Sequence, residues 1–538
     1  MINHMQHRSK DADDIHKALM RYIDDHDKAK LDKFKQALKK ASNAVLMECS
    51  INGYSILMDT VCLPYRRIDK DAKETKAKES KERIALSLFK CLMKVCRKLP
   101  EVKKFLLLTE DNSGLKPFGA VIKTKSVKIM RAYLKEVRKL EKDIYRQLLI
   151  STWPTYVLGE GNTDIIRSYF EVLRKARKKQ IISKKDYRHL LIDDEFSFNV
   201  LQKAFEDNNP THVRIVFDEL LWALEQGILA DADYRGLLID QNKTYFTPLQ
   251  TLLMAAASEN LNEVSKAEKE EFINKTSENL MIYFKELMAA KKKEIISPVE
   301  YCDVLIKKNQ GGLMPFDFLL QIKNPVIARI YFDAIRAGDF DKDYYYLCFF
   351  EPNAYGYAPI NPLLKTGNLT LLRMYFSEIG WAYGKKIIKR EVIIELLTKP
   401  NPGGVTPLQV AVESRDLKFL EGFVNILQKF LSPSALLFYL NIKIGPYRNK
   451  KLYCDSDTRE GGDINRYLDS LRRELTEKPK RKFLDKDEST AESKEEKSHY
   501  KRSKTSSSSS SSTSSSGFFQ KKEGSKKDYQ QSKKGLNK

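Results

Sequence analysis

The chain has 538 residues, is 42% hydrophobic and 31% charged, and carries a formal net charge of +23 at pH 7. This length accommodates several ordinary domains or one elongated array of repeats, and the apolar fraction is sufficient for a large core. No stretch approaches the ~18 uninterrupted apolar residues of a membrane-spanning helix, so the composition excludes a transmembrane segment.

The net charge indicates which kinds of partner the chain suits, and the cysteines indicate its cellular compartment. So basic a chain predicts attraction to nucleic acid, anionic membranes or acidic protein surfaces, although a lysine-rich protein without a polyanion partner has the same balance. The seven scattered cysteines lack paired zinc-ligand spacing. They indicate buried thiols in a reducing compartment, and we expect no metal or other cofactor. The N-terminus lacks the apolar region of a Sec signal peptide, which predicts a cytoplasmic protein in the producing cell.

The first part of the chain is predicted to be helical. Residues 1–51 place Ile15 and Leu19 on one helical face and Phe34 and Leu38 on another, as expected of an N-terminal cap. Residues 52–112 contain a degenerate first repeat. A highly charged insertion at 66–85 interrupts it and suits a solvated helix or a loop.

From residue 113 to residue 443 a unit recurs with a usual period in the mid-forties. Each unit opens with a short helix at a Pro-equivalent position, because the fixed φ of proline suits a first helical turn. These positions are Pro117, Trp153, Val200, Pro248, Pro315, Pro359 and Pro407. The step from Pro248 to Pro315 contains an insertion at 257–279, so the second helix of that unit is expected to resume at residue 280.

A polar residue then caps a second helix, since Ser, Asn and Asp accept hydrogen bonds from free backbone N–H groups. These predicted caps are Ser126, Asn162, Asn209, Asn324, Asn368 and Asp416. The second helix carries an arginine that recurs as Arg131, Arg167, Arg214, Arg329 and Arg373. Stacked units would align these residues into a ladder. The ladder either pairs with carboxylates of neighbouring units or forms a basic stripe that binds an acidic partner.

A third short helix with the pattern Tyr-x-x-apolar-apolar completes most units. The pattern begins at Tyr145, Tyr187, Tyr234, Tyr301 and Tyr346. Because one unit cannot bury its apolar side alone, the units must stack into a continuous core. The sequence therefore predicts an all-α fold, an elongated α-solenoid of about seven to eight repeats. A helical and basic segment at 444–484 follows it.

The opening helices resemble those of ankyrin repeats. Thr247-Pro248-Leu249 and Thr406-Pro407-Leu408 match the Thr-Pro-Leu motif of that family, with Gln250 and Gln409 in place of its usual histidine. The period exceeds the ~33 residues of the family, and each unit has an extra helix. The resemblance thus implies a divergent ankyrin-like array, with a HEAT-like or another α-solenoid as the alternative.

The C-terminal tail, residues 485–538, is rich in Ser, Lys and Glu and is predicted to be disordered. Long, lysine-rich, ankyrin-like chains resemble the effectors that intracellular bacteria export through the Dot/Icm type IV secretion system. The glutamate-rich block at 485–498 is similar to the C-terminal signals of such effectors. This resemblance implies secretion into a host cell and a role in virulence. Just before the tail, a basic motif suits nuclear import, polyanion binding or a solvated linker: Lys478, Lys480, Arg481 and Lys482.

The sequence contains no recognisable catalytic motif, neither H-E-x-x-H nor G-x-S-x-G nor a P-loop. A cysteine–histidine pair would have to combine Cys302 or Cys348 with His189 or His212, which lie in helical segments typical of core packing. The sequence favours a non-enzymatic protein–protein interaction scaffold without catalytic, cofactor-binding or metal-binding residues. The alternatives are a protein that binds nucleic acid or anionic membranes, and an enzyme whose site lies in residues 1–112.

Overall fold

The computed structural model describes residues 10–25, 28–42, 45–46, 57–58, 60–61, 74–110, 116–192, 199–258, 265–338, 340–441 and 459–477. Over these ranges the regular elements are α-helices and one 3₁₀ turn at Cys96–Lys98, without a strand, which confirms the predicted all-α class. The tail predicted at 485–538 and the basic motif at 478–482 lie outside the described residues.

Four helices can be given bounds within the described residues before the repeating part: α1 (Lys10–Asp25), α2 (Lys28–Lys40), α3 (Glu74–Val95) and α4 (Pro100–Leu108). Helix α1 packs on α2, and α2 packs on α3. Ile15, Leu19, Phe34 and Leu38 are buried, as their amphipathic spacing predicts. Part of the charged insertion at 66–85 is helical, because α3 begins inside it.

Seven triplets of helices follow within the described ranges, each with a first, a second and a third helix. The first helices are α5 (Pro117–Lys123), α8 (Pro154–Glu160), α11 (Val200–Glu206), α14 (Pro248–Ser258), α17 (Pro315–Ile322), α20 (Ile360–Lys365) and α23 (Pro407–Glu413). The second helices are α6 (Val127–Val137), α9 (Thr163–Lys178), α12 (Pro210–Glu225), α15 (Lys266–Lys292), α18 (Pro325–Ala337), α21 (Leu369–Gly384) and α24 (Leu417–Phe430). The third helices are α7 (Lys142–Ile150), α10 (Lys184–Ile192), α13 (Asp231–Ile239), α16 (Pro298–Ile306), α19 (Lys342–Phe349), α22 (Arg390–Thr398) and α25 (Pro433–Asn441).

In successive triplets, helices of the same kind pack on one another. The first helices contact one another in series from α5 to α23, and the second helices do so from α6 to α24. At the ends, α3 packs on α6, and a last helix α26 (Arg459–Glu477) packs on α24 and α25. Each triplet therefore buries its apolar side against its neighbours, which is the reason one triplet alone is insufficient.

The second helices begin at the predicted caps and end at a second recurring signal. The side chains of all six predicted caps accept a hydrogen bond from a backbone N–H of the first turn. At the other end of four of these helices, an isoleucine N–H donates back to the carbonyl of an alanine five residues earlier. The pairs are Ile181–Ala176, Ile228–Ala223, Ile295–Ala290 and Ile387–Ala382. This bond satisfies a carbonyl that the helix end leaves free.

The structure corrects three details of the repeat. Trp153 and Pro359 are the N-caps of α8 and α20, whose first helical residues are Pro154 and Ile360. The buried tyrosine of α19 is Tyr345, whereas Tyr346 is 43% exposed. The segment 266–292 is one helix, so the insertion lengthens the second helix instead of delaying it. Ser265 and Glu268 form a capping box there, and this local signal sets the helix start.

Candidate interaction surface

The five predicted ladder arginines lie on the solvent side of the second helices. Arg131, Arg167, Arg214, Arg329 and Arg373 are all exposed. Arg214 binds Glu278 of the next triplet. As far as the structure describes the chain, the other four guanidinium groups make no ion pair or hydrogen bond. Most of the ladder is therefore available to a partner, and only Arg214 has the inter-unit role that the alternative interpretation requires.

The charge along the ladder is uneven. Arg131 lies one turn from Lys128 and Lys135, although Lys128 also binds Glu82. Arg167 lies between Asp164 and Glu171, whereas the positions one turn before and after Arg373 hold Thr370 and Ser377. Met281 takes the equivalent position in α15 and is 53% exposed. The positive potential is thus strongest at α6 and α21, near the two ends of the ladder.

A different set of arginines, on the third helices, joins neighbouring triplets. Arg146 binds Asp186 through Nε at 3.0 Å, and Arg188 binds Asp233 through Nε at 2.8 Å. Arg235 binds Glu300 through Nε at 2.6 Å. Each acceptor also receives the backbone N–H at the start of its own helix, from Ser183, Ala230 or Ser297 respectively. The sequence analysis did not single out these arginines, although the pattern acid-Tyr-Arg at 186–188 and 233–235 marks Arg188 and Arg235.

These hydrogen bonds lower the pKa of each of the three acceptor carboxyl groups. Hydrogen bonds from Arg188 to Asp233 lower the pKa of that carboxyl, and the backbone N–H of Ser297, with Arg235, lowers the pKa of Glu300. Burial by itself would raise the pKa of Asp186, but hydrogen bonds from Arg146 and Ser183 outweigh it and lower the pKa. All three carboxylates are therefore stabilised in their charged form.

Two further arginines bind buried glutamates between second helices. Arg174 donates through Nε to Glu219 at 2.9 Å, and its guanidinium lies 4.7 Å from the ring centroid of Trp222. The Tyr187 hydroxyl donates to the other oxygen of Glu219, which is 1% exposed. Burial raises the pKa of Glu219 to about 7, against the opposing effect of Tyr187 and Arg174.

The same constellation recurs at the other end of the array. Arg336 donates to both oxygens of Glu378, at 2.7 and 2.8 Å, and its guanidinium lies 5.5 Å from the centroid of Trp381. The Tyr345 hydroxyl donates to the backbone carbonyl of Glu378 at 2.7 Å. The signal in the sequence is Glu-x-x-Trp, at 219–222 and 378–381, which the repeat analysis missed because only two units carry it.

The recurring tyrosines of the second helices join triplets through buried hydrogen bonds. Each hydroxyl donates to a backbone carbonyl at or near the C-terminal end of the preceding third helix, or of α4 for the first. The pairs are Tyr133–Leu107, Tyr169–Thr152, Tyr283–Leu238, Tyr331–Leu305 and Tyr375–Phe349. The last carbonyls of a helix have no partner within it, and a buried hydroxyl satisfies one of them. All five tyrosines are buried in the core.

A basic cleft lies on another side of the array. It has a volume of about 530 Å³ and is formed by α7, the end of α9 and the start of α10. Lys142, Arg177 and Lys184 line it together with Asp143, while Arg146 in its wall is bound to Asp186. The last turn of α9 adds Lys175 and Lys178 nearby. Cations at a helix C-terminus are favoured by its dipole, so part of this charge serves helix stability.

The cysteines and histidines considered for catalysis have separate surroundings. Burial raises the pKa of the Cys348 thiol to about 12, and its sulfur lies 3.9 Å from the Tyr331 hydroxyl. The His189 ring packs edge-on against Trp153 at 5.0 Å, and His212 Nδ1 lies 3.7 Å from Asp207. Among the described residues no group of three His, Cys, Asp or Glu side chains is placed to hold a metal ion.

Comparison with models of known protein families and with curated proteins finds no match to the chain. The ankyrin-like and effector-like resemblances therefore depend on the residues quoted for them. Across the ranges that the structure describes, no helix has the length and apolar character needed to cross a membrane.

Proposed function

We propose that the chain is a non-enzymatic scaffold that binds a partner protein along the solvent side of its second helices, with its triplets arranged as a divergent ankyrin-like solenoid. The observation that carries this proposal is the exposure of Arg131, Arg167, Arg329 and Arg373 at one repeated position. Inter-unit ion pairs are made mainly by other arginines, so the fold itself does not require these four. A planar guanidinium binds carboxylates in a bidentate manner, so the partner should present acidic side chains.

The test compares two full-length variants that lose the same charge. The ladder variant replaces Arg131, Arg167, Arg329 and Arg373 with Ala, and the control replaces the exposed Lys179, Lys292, Lys385 and Lys389 with Ala. Quantitative capture from a eukaryotic lysate should yield a protein that wild type and control bind and the ladder variant does not. Equal capture by all three would contradict the proposal, and thermal melting confirms that the variants are folded.

We propose in addition that the chain is delivered into a host cell by a type IV secretion system. The support is the resemblance of the lysine-rich array and of the block at 485–498 to such effectors. A translocation reporter fused to the full chain should be exported by a Dot/Icm-competent bacterium, whereas a chain that ends at Lys443 should not be exported. Failure of both fusions, or equal export of both, would contradict delivery by this route.

A second candidate function is the binding of a polyanion, nucleic acid or anionic membrane, and the basic cleft favours it. Lys142, Arg177 and Lys184 line a space large enough for a phosphate group, within a chain of net charge +23, and Lys184 also donates to the Gly227 carbonyl at 3.4 Å. Binding to DNA or acidic liposomes should then weaken steeply as salt is added, since phosphate neutralisation releases counterions. Substituting these three residues with Ala should reduce the slope, whereas the ladder variant should retain it.

A further inference from the structure

One pocket of the array is lined by a residue that departs from the pattern of the other units. It has a volume of about 90 Å³ and lies between α19 and α22 and the loops that follow them. We call it the Asn361 pocket, after the residue of α20 that lines it. Tyr346 and Phe350 contribute rings that are 5.7 Å apart and 14° from parallel. Leu396 and Pro400 contribute further apolar surface.

Asn361 lies two residues after a Pro-equivalent position, where four of the other six units have a capping residue. At four such positions the side-chain oxygen accepts the N–H at the start of its first helix: Gln202, Gln250, Asp317 and Gln409. The Asn361 amide instead donates to the Ala358 carbonyl at 3.4 Å. Its Oδ1 atom is fully buried and has no hydrogen-bond partner in the described part of the chain.

The pocket exists because the side chain of Asn361 is short. Gln202 Nε2 reaches the carbonyl of Phe246 in the next loop at 2.9 Å, and Gln250 Nε2 reaches that of Lys307 at 2.6 Å. Asn361 is one methylene shorter and makes no such bond to the loop that begins at Lys399. The space that a glutamine would fill is left open, with an unused acceptor in its lining.

An unused buried acceptor costs free energy, so a ligand that donates to it gains a hydrogen bond the protein does not otherwise make. Asn361 is 2% exposed and lines the pocket, so a ligand in the pocket reaches its buried Oδ1 when the neighbouring side chains shift to uncover that atom. Tyr346 in the lining is 43% exposed, and Tyr355, next to the lining residue Gly356 in the chain, is 66% exposed. Large exposed apolar side chains grouped in this way are typical of interaction sites.

We propose that the Asn361 pocket binds the tryptophan side chain of a partner protein, with the indole N–H donating to Asn361 Oδ1. The parallel rings of Tyr346 and Phe350 suit a flat ring. The indole brings one donor and no acceptor, so nothing is left unpaired when it is buried. Lys399 and Glu395 both line the pocket and pair with each other at 2.7 Å, so their charges balance and the lining suits a neutral side chain. The pocket does not involve the ladder arginines, so this proposal and the ladder proposal stand or fall separately.

The size of the pocket fits part of one ring. A closed cavity of ~150 Å³ can enclose benzene, whereas this pocket is smaller and open to solvent. The indole would therefore enter by the edge that bears its N–H, while the rest of the side chain and the peptide stay at the mouth against Tyr346 and Tyr355.

The experiment uses the full chain and ligand-observed NMR titrations with two probes, N-acetyl-L-tryptophanamide and N-acetyl-L-phenylalaninamide. Wild type should bind the tryptophan probe about tenfold more tightly than the phenylalanine probe, because only the former satisfies Oδ1. Asn361→Gln should fill the pocket, restore the bond to the next loop and abolish binding. Its melting temperature should equal or exceed that of wild type, so the loss would not reflect unfolding.

Asn361→Leu separates the hydrogen bond from the space. It keeps a similar side-chain volume and removes the acceptor, so the preference for the tryptophan probe should fall to about twofold or less. Equal affinity of wild type for both probes, no binding of either, or unchanged binding by Asn361→Gln would each overturn the proposal. Self-association of wild type that Asn361→Gln abolishes would overturn the choice of a partner protein and indicate a second copy of the chain.

Discussion

Arginines recur on two of the three helices of the repeat, and the structure uses them in opposite ways. On the third helices, Arg146, Arg188 and Arg235 each bind a carboxylate of the next triplet. On the second helices, four of the five ladder arginines face solvent without an ion pair among the described residues. The third helices offer an acid next to the buried tyrosine, whereas the buried acids of the second helices, Glu219 and Glu378, bind Arg174 and Arg336 instead of the ladder. An arginine that recurs at one position of the unit therefore lies at the same place each time, but its recurrence does not show which contacts it makes.

The largest expected effect on the free energy of unfolding is at the buried ion pair between Arg336 and Glu378. Glu378→Ala should lower the free energy of unfolding by about 3 kcal/mol, because Arg336 loses a bidentate partner and a space is left beneath Trp381. Urea unfolding followed by tryptophan fluorescence measures the change. Glu395→Ala, which removes an exposed carboxylate bound to Lys399, is the control and should cost less than about 1 kcal/mol. Equal losses in the two variants would contradict the role assigned to burial.

The next effect is a pH dependence of the free energy of unfolding that comes from the buried carboxyl of Glu219. Burial raises the pKa of Glu219 from 4.5 to about 7. A folded pKa above the unfolded one adds stability that is complete below pH 4.5 and is lost as the pH rises through about 7. The unfolding free energy of wild type should therefore fall by on the order of 2 kcal/mol between pH 4.5 and 8 from this group. Glu219→Gln should remove that component, as measured by urea unfolding across the range.

The control for this pH profile is Glu206→Gln, which removes an exposed carboxylate from the same triplet. It should leave the profile of wild type unchanged in shape. A profile that Glu219→Gln does not flatten would show that Glu219 stays ionised throughout.

A smaller effect is expected where a tyrosine joins two triplets. Tyr375→Phe removes the hydroxyl that donates to the Phe349 carbonyl at 2.5 Å and leaves that carbonyl unsatisfied. The free energy of unfolding should fall by about 1 kcal/mol, and amide hydrogen exchange should quicken at the end of α19. Tyr383→Phe, at an exposed position of the same helix, should change neither quantity.

The smallest effects test the two arginine sets directly. Arg188→Ala should cost about 1 kcal/mol, because Asp233 loses its partner, whereas Arg329→Ala should stay within ~0.5 kcal/mol. Thermal melts of the two variants, each at matched salt, give the comparison. A larger loss for Arg329→Ala would mean that the ladder holds the triplets together and is not free for a partner.

Much of the fold follows from local patterns. The helix starts at Ser126, Asn162 and Asn368 are correct because an N-cap acts within its own first turn and depends little on the rest of the chain. The aromatic register of α19 is different: Tyr344, Tyr345 and Tyr346 are adjacent, and spacing cannot tell which one faces inward. Packing against Trp381 and the bond to the Glu378 carbonyl select Tyr345.

The candidate sites were less accessible to sequence reasoning. The ladder arginines were found because they recur in five units. The Asn361 pocket depends on a position that holds Gln in three other units and Gly119, Thr155 or Asp317 in the rest, and its meaning emerges only when two of those glutamines are seen to reach the next loop.

By itself, the sequence determined the all-α class, the three-helix unit and most of its helix starts, because apolar period and capping are interactions within a few residues. Tertiary structure alone decided which arginines are consumed by the fold and which stay exposed. That choice depends on whether a carboxylate from the next triplet lies within reach, over a separation of 40 to 65 residues between partners such as Arg146–Asp186 and Arg235–Glu300. The local pattern of one unit therefore cannot show whether a carboxylate of the next unit lies within reach of its arginine.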